Sequence, residues 1–285
     1  MDINITLKSN NKILEITKDT SYKLIEIEGI ESAEFQLNIT SNSQYDGSTV
    51  SSKRIDKRPI AIVADFKGEN KEIEREKLIS FFNPKYVGVL IVDYCGVEKA
   101  IEYEIESFKA PLTNTHDLLT FTADLICPNP YWTDLLESKE EIALWKPDFS
   151  FPLKLSSGGI KFGHREPSLI VNVANLGNTE CGMRVEFKAL ATLTNPSILN
   201  VNTREFIKIN KTIVAGEVIS VSTYFGDKNI KSTLNGVTTN AINFIDFQST
   251  FLQLDVGDNL FRYNADTNLD NLVVNIYYRP QYLGV

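Results

Sequence analysis

Asp117-Leu-Leu-Thr-Phe-Thr-Ala-Asp-Leu-Ile126 runs directly into Cys127-Pro-Asn-Pro-Tyr-Trp132. The first of these stretches has the composition and alternation of a β-strand. Pro128 and Pro130 lack the N–H donors that a ladder needs, so they stop that strand. Tyr131 and Trp132 must then bury their rings elsewhere. A strand that ends hard near the middle of a 285-residue chain implies a join between two bodies. The length agrees, because it exceeds the usual single-domain size.

On the N-terminal side of this corner most segments alternate with period two. Ile3-Asn-Ile-Thr-Leu7, Lys23-Leu-Ile-Glu-Ile27 and Phe35-Gln-Leu-Asn-Ile39 each place apolar side chains on one face. Ile60-Ala-Ile-Val-Ala-Asp-Phe66 and Gly88-Val-Leu-Ile-Val-Asp-Tyr94 are more continuously apolar, as strands covered on both faces are. Ala100 to Glu106 returns to strict alternation, with Glu102, Glu104 and Glu106 on one side. One helix is predicted over 70–82. Asn70 is its N-cap, acids fill its first turn, and Leu78, Phe81 and Phe82 form a stripe that packs on a sheet. Asn83-Pro84 ends it.

Residues 41–58 are polar and separate two strand-like runs. A connection this long inside a compact domain is functional, or an arm that orders on a partner; a merely solvated hairpin is the other reading. Its basic residues, Lys53, Arg54, Lys57 and Arg58, are candidate interface groups.

After Trp132 short strands recur, among them Ser168–Val173, Met183–Phe187, Glu205–Ile209, Asn243–Phe247 and Leu272–Tyr277. The segment from Leu135 to Trp145 reads as a short helix or a strand, and Ser156-Ser-Gly-Gly159 as a turn. Many short strands at this spacing indicate a β-sandwich or jelly roll.

Composition narrows the function classes. The chain is 42% hydrophobic and 23% charged, as ordinary soluble proteins are. Its net charge of −8 is uneven: residues 1–134 hold 15 Lys+Arg against 22 Asp+Glu, and residues 135–285 hold 14 against 15. That acidity argues against nucleic-acid binding, which needs clustered basic groups. Cys95, Cys127 and Cys181 are odd in number and far apart, so neither a disulfide framework nor a metal set is expected. No apolar run approaches a membrane span, and the N-terminal residues lack a secretory signal, so synthesis in a cytoplasm is expected.

Catalytic motifs are missing from the sequence, and no enzyme, cofactor or metal is expected. His116 and His164 lie among turn residues without a second ligand. Glu102, Glu104 and Glu106 read as a solvated strand face, as an acidic stripe facing a lumen or partner, or as a catalytic or metal pair. Cys127 reads as a small buried residue without a base to activate it. Tyr224-Phe225, Tyr277-Tyr278 and Tyr282 read either as a stacking platform for sugars or as core and edge aromatics.

Several short motifs recur in a recognisable order. They are Tyr45-Asp-Gly-Ser48, the basic run through Lys57-Arg58-Pro59, the strand Ile60–Val63, Phe82-Asn83-Pro84, Gly88-Val-Leu90, Pro130-Tyr131-Trp132 and the terminal Gly257-Asp-Asn259 with Leu272–Tyr278 and Tyr282-Leu-Gly-Val285. In this order the chain resembles the distal tail proteins of tailed bacteriophages, the siphophage-type tail component family, over essentially its whole length.

The resemblance implies a mostly β fold with one helix. Residues 1–130 would be a β-barrel-like, ring-forming belt domain, and residues 131–285 a peripheral galectin-like sandwich. It implies a homohexameric ring at the virion tail tip, with a tail-tube protein and a tail-hub protein as partners, receptor-binding or baseplate proteins docked outside, and no membrane partner. On this reading Pro128, Pro130, Tyr131 and Trp132 wedge the interdomain angle, and Glu102, Glu104 and Glu106 line the lumen. The family's larger members carry inserted carbohydrate-binding modules, for which this chain has no room. A lectin-like adhesion module is the rival function.

Overall fold

The protein's structure is a computed structural model that describes residues 3–41, 43–111, 118–142, 145–147, 163–165 and 170–285, with backbone alone at 145–147 and 163–165. The chain divides into two compact units, Met1–Leu135 with Gln281–Val285, and Leu136–Pro280. Each has its own apolar core. The division expected at 130/131 is therefore corrected: Tyr131, Trp132 and the last five residues belong to the first unit. Local alternation could not register that Gln281 and Tyr282 pair with Thr133 and Trp132 across the intervening unit's worth of sequence.

The first unit contains β1 (Ile3–Ser9), β2 (Lys12–Ile16), β3 (Tyr22–Glu28), β4 (Phe35–Ser41), β5 (Ser48–Ile55), β6 (Arg58–Phe66), α1 (Lys71–Phe81), β7 (Gly88–Tyr94), β8 (Val97–Lys109), β9 (Leu119–Cys127) and β10 (Trp132–Thr133). Its main sheet is antiparallel, in the order β2-β1-β7-β8-β9-β6-β3, with β10 on β8 and Gln281–Tyr282 on β10. The hydrogen-bonded ladder of this mostly β unit ends at β2 and β3, which touch without pairing, so the barrel-like unit is not closed by hydrogen bonds. Period-two alternation sends Ile5, Leu7, Ile60, Ile62, Leu90, Val92, Phe121 and Leu125 to one buried face. Gly88 stands opposite Tyr103 in the β7–β8 register, and a Cβ there would meet the Tyr103 Cζ at 2.3 Å, so the ring occupies the place of the missing side chain.

Helix α1 closes this core. Leu78 and Phe81 are buried, as is Phe82 just beyond the helix, whose ring stacks on Phe108 at 4.7 Å between centroids. The expected stripe is thus present. The expected side-chain cap is not: Asn70 takes a left-handed conformation (φ 60, ψ 50) and makes no side-chain cap bond. Asn tolerates that region better than most residues. The other side of α1 leaves Ile73 and Ile79 exposed.

The second unit contains β11 (Ser138–Glu141), β12 (Trp145–Pro147), β13 (Gly163–Arg165), β14 (Ile170–Asn175), β15 (Met183–Ala189), β16 (Leu193–Thr194), β17 (Ser197–Asn200), β18 (Phe206–Lys208), β19 (Thr212–Ile213), β20 (Val218–Ser222), β21 (Asn229–Leu234), β22 (Val237–Asn240), β23 (Gly257–Asn264) and β24 (Leu272–Tyr278). The stretch from Leu135 onward, open between helix and strand in sequence, supplies β11. One sheet runs β11-β24-β15-β20-β21-β22 and the other β14-β23-β17-β18. Their inward residues, including Val185, Phe187, Ile219 and Ile276 from the first and Val173, Ile198, Ile207 and Phe261 from the second, form one core. That is the sandwich expected from the spacing of short strands.

A buried carboxylate sits inside this unit. Glu217 is 4% exposed and caps the turn before β20. Its Oε1 accepts from Ser232 Oγ at 2.6 Å and pairs with the Lys211 ammonium, and its Oε2 accepts from the Val214 N–H at 3.1 Å. Burial alone raises its pKa, but these donors outweigh burial and hold it below the usual carboxylate range. A depressed pKa stabilises the fold above the unfolded value of about 4.3, and that contribution is lost as pH falls through the folded pKa. Glu217→Gln should therefore lower the stability of this unit by about 1–3 kcal/mol at pH 7. The penalty should shrink in acid, read by denaturant unfolding at both pH values. An equal penalty at pH 7 and pH 3 would refute the linkage.

Candidate functional site

The most conspicuous surface in the first unit is a hairpin that the sequence reading took for a long loop. Among the described residues β4 and β5 pair only with each other, from Phe35↔Ile55 to Ser41↔Ser48, with a register shift at Asn38/Ile39. The turn is therefore shorter than 41–58 implied, and Ser48–Ile55 is a strand. The miss has a physical cause: Ser-Thr-Val-Ser-Ser-Lys-Arg-Ile has β-compatible Thr, Val and Ile but almost no apolar alternation.

The pairing divides the hairpin into two faces. One carries Phe35, Leu37, Ile39 and Val50, exposed by 57, 50, 59 and 43%, together with Lys53. The other is polar: Arg54 donates twice to Gln36 Oε1, at 3.1 and 2.9 Å, and Asn38 donates to Ser52 Oγ at 2.7 Å. So Lys53 and Arg54, grouped together in sequence, point to opposite faces. Lys57 is exposed beside Asp56, whose Oδ1 accepts the Lys57 backbone N–H.

The fourth candidate of that group is a correction. Arg58 is 3% exposed and unavailable to a partner. Its Nε donates to Pro130 O at 2.8 Å, one terminal nitrogen donates to Gly29 O and Glu31 O at 2.9 and 2.8 Å, and the other donates to Leu283 O at 2.5 Å. A guanidinium fork suits such a set of acceptors, and an ammonium does not. Burial lowers the pKa of this guanidinium, opposed by Cys127 and Glu31. Arg58 thus ties the corner after β9 to the β3–β4 connection and to the C-terminal tail. Ala33 N–H also donates to Leu283 O, and Val285 N–H to Ile30 O.

The corner itself is core. Trp132 is 0% exposed, Tyr131 is half-buried, and the carbonyl that Arg58 Nε holds is that of Pro130 itself. Close by, Lys99 Nζ lies 3.3 Å from the centroid of the Tyr282 ring and 2.5 Å from Asp134 Oδ1. The segment leaving the first unit and the segment returning to it are thereby clasped to the same strand, β8.

Glu102, Glu104 and Glu106 are exposed along β8, opposite the buried Ile101 and Tyr103. Glu106 falls in the register shift between Ile105 and Ser107. A second acidic contribution comes from Asp124 on the neighbouring β9, whose Oδ2 accepts from Ser107 Oγ at 2.5 Å.

A groove lies between β2 and α1. Its volume is about 1080 Å³, its floor includes Leu14, Phe66, Leu78 and Phe81, and Ile13 and Ile73 stand exposed at its mouth by 61 and 58%. Nothing in the sequence pattern announced it, because Ile13 and Ile73 each belong to an element whose opposite face fills the core.

The remaining candidates are not drawn together. Tyr278 is buried and donates to Ala174 O at 3.1 Å, and Tyr282 belongs to the first unit beside Lys99, so no single aromatic platform is built from the five rings. Burial pushes the Cys127 and Cys181 thiols up to about 12, which keeps both protonated. His116 and the turn at 156–159 lie outside the described residues, as does the His164 side chain. Among the described residues no group of three His, Cys, Asp or Glu is arranged to hold a metal ion. No described helix is long and apolar enough to cross a membrane.

The chain thus combines a β-sheet unit that bears an amphipathic hairpin with a separate β-sandwich unit. Residues 176–282 match the family model described as siphovirus-type tail component, C-terminal domain. The whole fold is similar to that of the Dit protein (gp 19.1) of phage SPP1, described as a paradigm of the hub adsorption apparatus in phages infecting Gram-positive bacteria. That similarity has a TM-score of 0.69 at 12% identity over 97% of this chain and 98% of that one. A chain of the phage P2 baseplate in its activated conformation with Ca aligns with a TM-score of 0.59 at 9% identity, covering 100% of both chains. The corresponding baseplate structure with Sr gives 0.55 at 9% identity over 97% of each. No curated protein matches the chain in sequence. The sequence match to the siphovirus-type tail component family lies almost wholly within the second unit, and the fold likeness extends through both units.

Proposed function

We propose that this chain is a phage tail component and serves as a hub at the distal end of the tail. Six copies form a ring through the first unit. The ring joins the tail-tube protein above to the tail-hub protein below, and the sandwich units anchor receptor-binding or baseplate components. The observation that carries this reading is the fold correspondence with SPP1 Dit, which runs through both units rather than one. The exposed hairpin supports it, since one copy alone leaves it uncovered. The work is assembly, and no catalytic step is assigned to any residue. The lectin alternative loses its motive once Tyr278 and Tyr282 are committed to packing. Glu102, Glu104 and Glu106 remain the proposed lumen lining, where carboxylates repel passing phosphates at close range.

Native mass measurement and particle images test the ring. The expected result is a sixfold assembly with β8 turned toward the axis. A strictly monomeric mass at high concentration, together with a non-sixfold arrangement in particles, would overturn the hub. A sixfold ring with the three carboxylates on its outer rim would remove only the lumen assignment.

A further inference from the structure

We propose that the apolar face of the β4–β5 hairpin of one copy docks in the β2–α1 groove of the next copy. This rests on the ring reading above and names the contact that builds it. Two unsatisfied surfaces coexist in the same unit. A two-stranded hairpin packed on nothing is marginal in water, yet this one presents Phe35, Leu37, Ile39 and Val50 on a single exposed face. The groove presents the complementary want, with Ile13 and Ile73 exposed above an apolar floor.

Dimensions agree. Strands of seven and eight residues reach about 25 Å, enough to lay three cross-strand pairs along a groove bounded by one strand and one three-turn helix. Charge agrees as well. Lys53 is the one cation on the apolar face of the hairpin, opposite Leu37. At the groove, Lys12 is engaged by Ser80 Oγ and Lys77 by Glu74. The Glu15 and Glu76 carboxylates beside them have no cationic partner among the described residues. Lys53 supplies one. Donor and acceptor are different surfaces, so the contact runs head to tail, the kind that builds a ring when the rotation between copies closes, rather than a two-fold dimer.

Cysteine cross-linking of the full chain tests this. Cys95 is the exposed thiol and Cys127 and Cys181 are buried, so Cys95→Ala gives a quiet background. Leu37→Cys and Ile73→Cys, made in separately tagged copies, are mixed and oxidised. The expected product is a disulfide between the two tags. The double variant should give a covalent ladder ending at the ring. Asn38→Cys, on the polar face, should give about tenfold less product with Ile73→Cys, because a disulfide needs Cα atoms within about 7 Å.

Each other outcome overturns the docking. Disulfides between two Leu37→Cys copies alone mean that hairpins pair with each other. An intramolecular bond alone in the double variant means that the hairpin folds onto its own groove. Cross-linking that requires added tail-tube protein assigns the hairpin to the tube. Rings of normal mass with none of these disulfides overturn the docking and leave the hub standing, whereas no oligomer at any concentration overturns both.

Discussion

Arg58→Met should lower the melting temperature of the first unit by about 10–15 °C, on the order of 3–5 kcal/mol. Four carbonyl oxygens, on Gly29, Glu31, Pro130 and Leu283, lose a charged donor at once. The methionine is long enough to fill much of the space, so the loss isolates hydrogen bonding from packing. Arg58→Lys should recover only part of it, because three donors on a point charge cannot reach four acceptors spread over three segments. The second unit, with a separate core, should keep its own transition. Two further signals should accompany the loss. The Ala33 and Val285 amides, which bond across the C-terminal tail, should exchange with solvent faster, and carboxypeptidase should remove the tail more quickly. An unchanged melting curve in Arg58→Met would return this residue to the surface role its basic neighbours suggest.

Trp132→Ala should cost about 3–5 kcal/mol, as large-to-small changes at fully buried aromatics do. Trp132→Phe should cost less than about 1.5 kcal/mol. The difference arises because the Trp132 Nε1–H is buried without a partner among the described residues. Phenylalanine removes that unsatisfied donor while keeping most of the packing, and the smaller ring's lost contacts are offset in part. Calorimetry on both variants decides between core and hinge. A residue that set only the angle between units would leave the first unit's transition in place when truncated to alanine. A residue that fills the core lowers that transition, and equal effects of alanine and phenylalanine would contradict the packing argument.

Much of this architecture was legible because it rests on period. The alternation of Ile5 with Leu7 and Ile60 with Ile62 marked strands with one buried face, and Leu78, Phe81 and Phe82 marked the core side of α1. Short spaced strands marked the sandwich. What the sequence hid was long-range or two-sided. Arg58 reads as one more cation in a basic run, since nothing local shows four carbonyls converging from Gly29, Glu31, Pro130 and Leu283. The hairpin's second strand is mostly Ser, Lys and Arg, so its pairing with Phe35–Ser41 came from the partner strand rather than from its own pattern. The groove escaped notice because Ile13 and Ile73 look like ordinary exposed side chains until β2 and α1 stand side by side.

The return of Gln281–Val285 to the first unit sets an order of events during synthesis. The second unit is one continuous stretch of chain and can fold as soon as Leu136–Pro280 has cleared the ribosome. The first unit cannot. After Pro130 emerges, Arg58 waits for the Leu283 carbonyl while the intervening residues are translated, roughly 7–30 s at about 5–20 residues per second. Through that interval the nascent first unit lacks the strand Gln281–Tyr282 and the fourth guanidinium acceptor. A polypeptide released before Leu283 would therefore leave Arg58 one acceptor short and the first unit without the strand Gln281–Tyr282.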